Sequence, residues 1–261
     1  MENECELFAN TLPLPLTVKL GDMAMIGSLS DVHAVILAGG LGTRLRPAVA
    51  DLPKVLAPVL GRPWLLFILD QLAGADIRQV VLLTGHKAGQ VRDEIGDHYR
   101  GMRLTYSPEP TPLGTAGAVR AALPCLTGDA ILLMNGDSYC AVDLNALCEF
   151  HSRQHADISM VLARSSDASR FGMVRVDTQE RVIAFDEKTQ SGGGWINAGV
   201  YFLAKSLIEE IAPHRQVSLE KEMFPHWIGR RAAYAFRTEG PFLDIGTPES
   251  YAQAAAFFEP R

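Results

Sequence analysis

Val32-His33-Ala34-Val35-Ile36-Leu37-Ala38-Gly39-Gly40-Leu41-Gly42-Thr43-Arg44-Leu45-Arg46 is the stretch whose reading decides the fold. Ala34 to Ala38 is an apolar run of strand formers that stops abruptly at Gly39-Gly40-Leu41-Gly42. A strand ending in glycines lets bare backbone N–H groups approach a ligand closely, and a phosphate is the natural visitor to such a junction. Thr43, Arg44 and Arg46 follow at once and Lys54 comes after Pro53, so donors and positive charge lie just beyond a loop with few side chains.

Neither common phosphate loop fits this stretch. A dinucleotide fingerprint needs a third glycine where Leu45 stands, and an acid to hold the ribose about twenty residues on. The lysine of a P-loop, with its Ser or Thr, is also missing. Pro47 and Pro53 argue against a long helix after the glycines, so the helix dipole contributes little and Arg44 and Lys54 must carry the charge.

Working outward, Gln79 to Thr84 and Ala130 to Met134 are apolar runs bounded by turn residues, the pattern of strands buried on both faces. Trp64 to Ala75, with Pro63 as its first residue, and Ala88 to Tyr99 read as helices. Arg103 to Ser107 reads as a strand, and Thr115 to Leu123 as a short helix opened by Gly114. Strand and helix alternate, which predicts an α/β fold: a Rossmann-like, mostly parallel sheet with helices on both faces. Past Asn135-Gly136-Asp137 the pattern changes. Ile158 to Ala163, Met173 to Asp177, Arg181 to Asp186 and Trp195 to Leu203 are strand-like with short connections, predicting a small mixed β extension with Gly192-Gly193-Gly194 as a loop. A helix around Ser218 to Ile228, strands at Ala232 to Arg237 and Phe242 to Ile245, and a final helix from Pro248 complete the chain.

With 48% hydrophobic and 21% charged residues, 261 residues suffice for one large α/β core or two small domains. A net charge of −6 without a basic patch argues against nucleic acid as a partner. Residues 1–31 form an N-terminal extension, read as a disordered or dimer-contacting tail or as the result of an upstream start codon before Met23 or Met25. Glu2, Glu4 and Glu6 stand where a signal peptide is positive, and no apolar stretch reaches membrane-spanning length, so the expected setting is cytoplasmic with no membrane partner. Cys5, Cys125, Cys140 and Cys148 lack zinc or redox spacing and read as buried, inert thiols. His151 and His155 share a helix face but have no third ligand, so they read as exposed rather than metal-bound.

Gly39-Gly40-Leu41-Gly42-Thr43-Arg44-Leu45 followed by Pro53-Lys54 resembles the signature of the sugar-1-phosphate nucleotidyltransferases. Pro112-Leu113-Gly114-Thr115-Ala116-Gly117, Asn135-Gly136-Asp137, Phe171-Gly172, Glu187-Lys188, Asn197-Ala198-Gly199 and Asp244-Ile245-Gly246-Thr247-Pro248 follow in the family's order. The resemblance runs from about Val32 to the C-terminus, and seven ordered motifs are far more specific than any one of them. It implies the fold of the nucleotide-diphospho-sugar transferases, with residues 32–261 as a single domain, 32–140 its nucleotide half and 141–261 its sugar half. Phe171-Gly172-Met173-Val174, Ile196-Asn197-Ala198-Gly199 and Ser218-Leu219-Glu220 look similar to the D-glycero-α-D-manno-heptose 1-phosphate guanylyltransferases within it.

The reaction so implied is attack by a sugar 1-phosphate oxygen on the α-phosphorus of GTP, with pyrophosphate leaving. Two polyanions must be held in line and their charge offset, and no covalent nucleophile is needed. The resemblance gives Arg44 and Lys54 the catalytic work on the triphosphate. It gives nucleotide contacts to Leu37, Ala38, Gly39, Gly40, Gly42, Thr43, Gly114 and Thr115, with glycine at 114 admitting the flat base. Glu109 is the candidate acceptor for guanine's N1–H and amino group. Asp137, at a strand end, and Asp244 are implied ligands for Mg²⁺, whose octahedral demand two carboxylates, phosphate oxygens and water satisfy. Gly172, Glu187, Lys188 and Asn197 are implied to hold the sugar 1-phosphate. Competing expectations are a mannose-1-phosphate guanylyltransferase, a uridylyl or thymidylyl enzyme, a nicotinamide-dependent oxidoreductase and a silent nucleotide-sugar sensor. A homodimer or homotetramer is a further expectation from the family.

Overall fold

The computed structural model describes residues 28–40, 42–45, 47–49, 51–165, 171–187 and 193–259; the extension up to residue 27, Arg46, Lys188 and the side chains of Asp186 and Glu187 lie outside that description. In chain order the first part holds β1 (His33–Ala38), β2 (Pro58–Val59), β3 (Arg62–Pro63), α1 (Leu65–Gly74), β4 (Gln79–Thr84), α2 (Ala88–Ile95), β5 (His98–Tyr99), β6 (Met102–Pro108), α3 (Gly114–Ala121), β7 (Ala130–Asn135), β8 (Ser138–Cys140) and α4 (Leu144–Arg153). The second part holds β9 (Ile158–Ser165), β10 (Gly172–Val176), β11 (Val182–Glu187), β12 (Gly194–Ala204), α5 (Lys205–Glu210), a π-helical turn (Leu219–Met223), α6 (Phe224–Trp227), β13 (Ala233–Thr238), β14 (Phe242–Asp244), α7 (Pro248–Tyr251) and α8 (Ala254–Phe258).

The apolar runs become the parallel centre of one sheet, in the order β7-β1-β4-β6. Their side chains alternate between two cores, as the period of a strand requires. Ala34, Ile36, Val80, Leu82, Leu132 and Met134 face one core with α1, α2 and α4, whereas Val35, Val81, Leu83, Ile131 and Leu133 face the other with α3, α5 and α6. The expected α/β sheet with helices on both faces is therefore present. Its mixed extension is also present: β12 runs antiparallel to β7 on one side and to β9 on the other, β10 and β11 continue the sheet antiparallel, and β13 joins β9 in parallel.

Four local expectations are corrected. Pro63 does not open a helix; it pairs with Pro58 in a ribbon turned by Leu60 and Gly61, both at positive φ, and α1 begins at Leu65. The predicted Ala88–Tyr99 helix stops at Ile95, because Gly96 takes φ 78° as a left-handed cap and β5 then turns back against β6. His151 is buried rather than exposed, its Nδ1 2.9 Å from Ser159 Oγ, whereas His155 is exposed as expected but lies beyond the helix end at φ 45°. Cys140 and Cys148 are buried as expected, but Cys125 is exposed.

Candidate functional site

Parallel strands place ligands at their carboxyl ends, and here the ends of β1, β4 and β7 open onto a cleft of about 650 Å³. The strand ends meet so closely that side chains have no room. A Cβ added to Gly85 would lie 2.7 Å from Gly39 O, and one added to Gly39 would lie 2.7 Å from Glu109 Oε1 and 3.2 Å from Gly85 N. The floor of the cleft is thus backbone, with Leu37, Ala38, Gly39 and Gly40 along β1 and Gly85 and His86 along β4.

At one end the Asn135-Gly136-Asp137 turn carries charge. Trp64 Nε1–H donates to Gly136 O at 3.0 Å and fixes the turn from below. Asp244 is brought beside it by the antiparallel β8–β14 ribbon, in which Asp244 pairs with Ser138, and Ile245 N–H donates to Asp137 O at 2.9 Å. Asp244 Oδ2 accepts from Gly246 N–H at 2.7 Å. Lys54 reaches the same place: its ammonium, on a side chain only 10% exposed, donates to Asp137 Oδ2 at 2.7 Å. Asp137 lines the cleft and Asp244 does not, but two carboxylates on neighbouring segments are a donor set of the hard, oxygen type that suits Mg²⁺. Among the described residues no cluster of three or more His, Cys, Asp or Glu forms a closed cage, so a cation there would complete its shell from phosphate and water. Arg44 is not brought to this end. It sits exposed on the loop with Thr43, and neither it nor Gly42 lines the cleft.

At the other end stands Glu109. Its Oε2 accepts from Leu113 N–H at 2.8 Å, and its own N–H donates to Thr84 O at 2.7 Å. Burial pushes its carboxyl above the ordinary range, with the Leu113 hydrogen bond opposing. Gly114 opens α3 as expected. It takes φ 72°, and an added Cβ would lie 2.5 Å from Val217 O, so a neighbouring chain segment also requires glycine here, while the residue itself lines the cleft. Thr115 lines the cleft with its hydroxyl already engaged: Oγ1 accepts from Leu219 N–H at 2.8 Å and donates to Glu220 Oε2 at 2.9 Å.

The implied sugar residues are more scattered. Neither Gly172 nor Asn197 lines the cleft. Gly172 makes room for the Phe185 ring, which an added Cβ would approach to 2.8 Å. Asn197 braces a bulge in β12: Nδ2 donates to Tyr201 Oη at 2.6 Å and Oδ1 accepts from Gly199 N–H at 3.1 Å. Glu187 ends β11 opposite Gly172 in the register, while Lys188 lies outside the described residues.

The cleft also contains residues the sequence reading passed over. Gly85 and His86 follow the end of β4, and the strand-end rule that found Asp137 also applies to them. Asn135 was quoted only as part of a motif. Glu220 stands in the Ser218-Leu219-Glu220 stretch of the resemblance but had no assigned role, and Gln216 carries no local signal; the segment before α6 folds back against α3, where Ala116 N–H donates to Val217 O at 3.0 Å, and that contact brings both to the cleft.

Comparison with known proteins places the fold in a family. The model of the nucleotidyl transferase family matches residues 33–261. A D-glycero-alpha-D-manno-heptose 1-phosphate guanylyltransferase of Aneurinibacillus thermoaerophilus is 36% identical over 85% of this chain and 96% of its own. A mannose-1-phosphate guanylyltransferase of Mycobacterium tuberculosis is 37% identical over 86% of this chain, which spans only 64% of that relative's length. HddC from Yersinia pseudotuberculosis, solved in complex with GMP-PN, superposes with a TM-score of 0.78 at 31% identity, covering 87% of this chain and all of the other. A glycine-floored cleft at the carboxyl ends of parallel strands, with Asp137 on its wall and Asp244 beside it on the β8–β14 ribbon, is found in a chain that belongs to the nucleotidyl transferase family.

Proposed function

We propose that this chain makes GDP-D-glycero-α-D-manno-heptose and pyrophosphate from GTP and heptose 1-phosphate. The observation that carries the reading is the pairing of Lys54 and Asp137 at one end of a glycine-floored cleft, with Asp244 held behind them by the β8–β14 ribbon and Glu109 at the other end. The near full-length similarity to heptose 1-phosphate guanylyltransferases supports the choice of base and sugar.

In this reading the triphosphate lies over Gly39 and Gly40, whose N–H groups face it without intervening side chains. Lys54 supplies a permanent charge to the phosphates, which requires its ammonium to swing from Asp137 towards them. Arg44 reaches inward from the exposed loop when the triphosphate is present, because a guanidinium can bridge two phosphate oxygens. Asp137 and Asp244 hold Mg²⁺, which when bound offsets phosphate charge and makes the α-phosphorus a better electrophile. Glu109 Oε1 accepts from guanine, and Glu187 and Lys188 hold the sugar 1-phosphate. The protein's contribution is alignment and charge compensation of two polyanions, with no covalent intermediate.

The test is pyrophosphate release with Mg²⁺, offering each of the four NTPs against heptose, mannose and glucose 1-phosphates. Turnover with GTP and heptose 1-phosphate is expected. Mannose 1-phosphate is the second reading, favoured by the similarity to the Mycobacterium tuberculosis enzyme. Preference for UTP or dTTP would overturn the guanine assignment while leaving the metal end in place.

A further inference from the structure

Glu220 is a carboxylate in the cleft wall that the proposed reaction leaves without a role. It stands on the π-helical turn Leu219–Met223, where Met223 N–H reaches back to Ser218 O and Phe224 N–H to Leu219 O, five residues each. Such wide turns are uncommon and concentrate at functional sites, because they re-aim a side chain that an α-turn would carry round. The half-buried carboxylate is also held from two sides. Oε2 accepts from Thr115 Oγ at 2.9 Å and from Ser218 Oγ at 3.0 Å. Both bonds that the described residues make to it go to Oε2, which leaves Oε1 as an acceptor on a residue that lines the cleft.

A carboxylate only accepts hydrogen bonds. Set against a triphosphate it would repel, so its partner must be an uncharged donor on a ligand. Guanine already has an acceptor in Glu109, at the Gly39–Gly85 end. Glu220 stands further along the wall: its turn runs straight into Phe224, whose ring packs on Tyr201 with centroids 5.0 Å apart, and the Tyr201 hydroxyl accepts from Asn197, one of the implied sugar residues, at 2.6 Å. We propose that Glu220 is a specificity residue for the sugar, its Oε1 accepting a ring hydroxyl of the sugar 1-phosphate, with Thr115 and Ser218 as positioning residues that hold it. This rests on the reading above that the chain is a sugar-1-phosphate nucleotidyltransferase, and it reassigns Thr115 from the nucleotide to the support of Glu220.

The test is steady-state kinetics of Glu220→Gln, using the sugar 1-phosphate that the wild-type chain turns over fastest together with its monodeoxy forms. The expected result is a KM for the sugar 1-phosphate raised at least ~10-fold, with KM for GTP within about twofold of wild type. One monodeoxy form should be discriminated against by the wild type and not by the variant. Thr115→Val should move the same KM in the same direction, and Thr115→Ser should restore it. A raised KM for GTP with the sugar KM unmoved would overturn the assignment in favour of a nucleotide contact. Unchanged constants would reduce Glu220 to a wall residue, and should Glu220→Gln fail to fold, the Thr115→Val and Thr115→Ser pair carries the same comparison. No turnover by the wild type on any sugar 1-phosphate would sink the family reaction and this inference together, which separates that failure from failure of the variant alone.

Discussion

At the carboxyl edge of the sheet Lys54, Asp137 and Glu109 are partly covered, bonded to neighbours and open to a cleft; under α4, on the face of the same sheet, His151 is sealed from solvent. Burial acts on both regions. At the edge it raises the Glu109 carboxyl, while Leu113 N–H still supports the charged form. Under α4 it lowers the His151 imidazole to about 4, with Ser159 on one nitrogen and no partner on the other among the described residues. The difference is between a charge kept for a ligand and a charge excluded for packing. Substitutions at the edge should therefore change turnover and leave folding alone, and substitutions under α4 should do the reverse.

The sharpest way to break that contrast is Asp137→Asn. Removing one of two carboxylates from the metal end is expected to cost ~10³ in pyrophosphate release, comparable to the loss of a preorganised charge-stabilising group elsewhere. Circular dichroism and the urea midpoint should stay near wild type, since Asp137 is 47% exposed and the Asn Oδ1 can still accept from the largely buried Lys54 ammonium. Near-normal turnover would remove the metal assignment.

His151 gives the opposite test. A base whose pKa falls on folding binds fewer protons in the native state than in the unfolded one, so stability drops as pH falls through the window from about 6.5 to about 4. The expected loss is about 3 kcal/mol by the lower end of that window, taken from the difference in pKa. His151→Gln should flatten this slope in urea unfolding curves measured at several pH values, with kcat at neutral pH unchanged. A slope identical to wild type would mean that another group governs acid sensitivity.

Smaller effects sharpen the edge itself. Glu109→Gln is expected to raise KM for GTP ~10-fold, the worth of a hydrogen bond to a charged group. Because the Glu109 carboxyl titrates above the ordinary range, wild-type GTP affinity should decline on acidification earlier than for an ordinary carboxylate, and the variant should lack that limb. Gly39→Ala should reproduce a few-fold part of the same KM change, since the new Cβ would displace Glu109 Oε1, at a stability cost of ~1 kcal/mol. Titration of a fluorescent GTP analogue would read both, and a Gly39→Ala protein with unaltered affinity would break the link between floor and acceptor.

What the sequence by itself determined was everything carried by local pattern. The apolar runs at β1, β4 and β7 and the glycines that end β1 follow from side-chain period and backbone sterics, and the resemblance in ordered motifs already grouped Gly39, Lys54 and Asp137. Only the tertiary structure decided that Lys54 is bonded to Asp137, that Asp244 joins them through a ribbon with β8, and that Arg44 stays on the surface. It also decided that Val217 passes close to Gly114 and that the Thr115 hydroxyl is bonded to Glu220. Residues 114 and 217 are far apart along the chain, and no local propensity records which carbonyl will lie against which Cα. His151 shows the same limit: its helix was untouched by any motif, and its burial depends on Phe202 and Ser159 from strands that reach it only when the sheet closes.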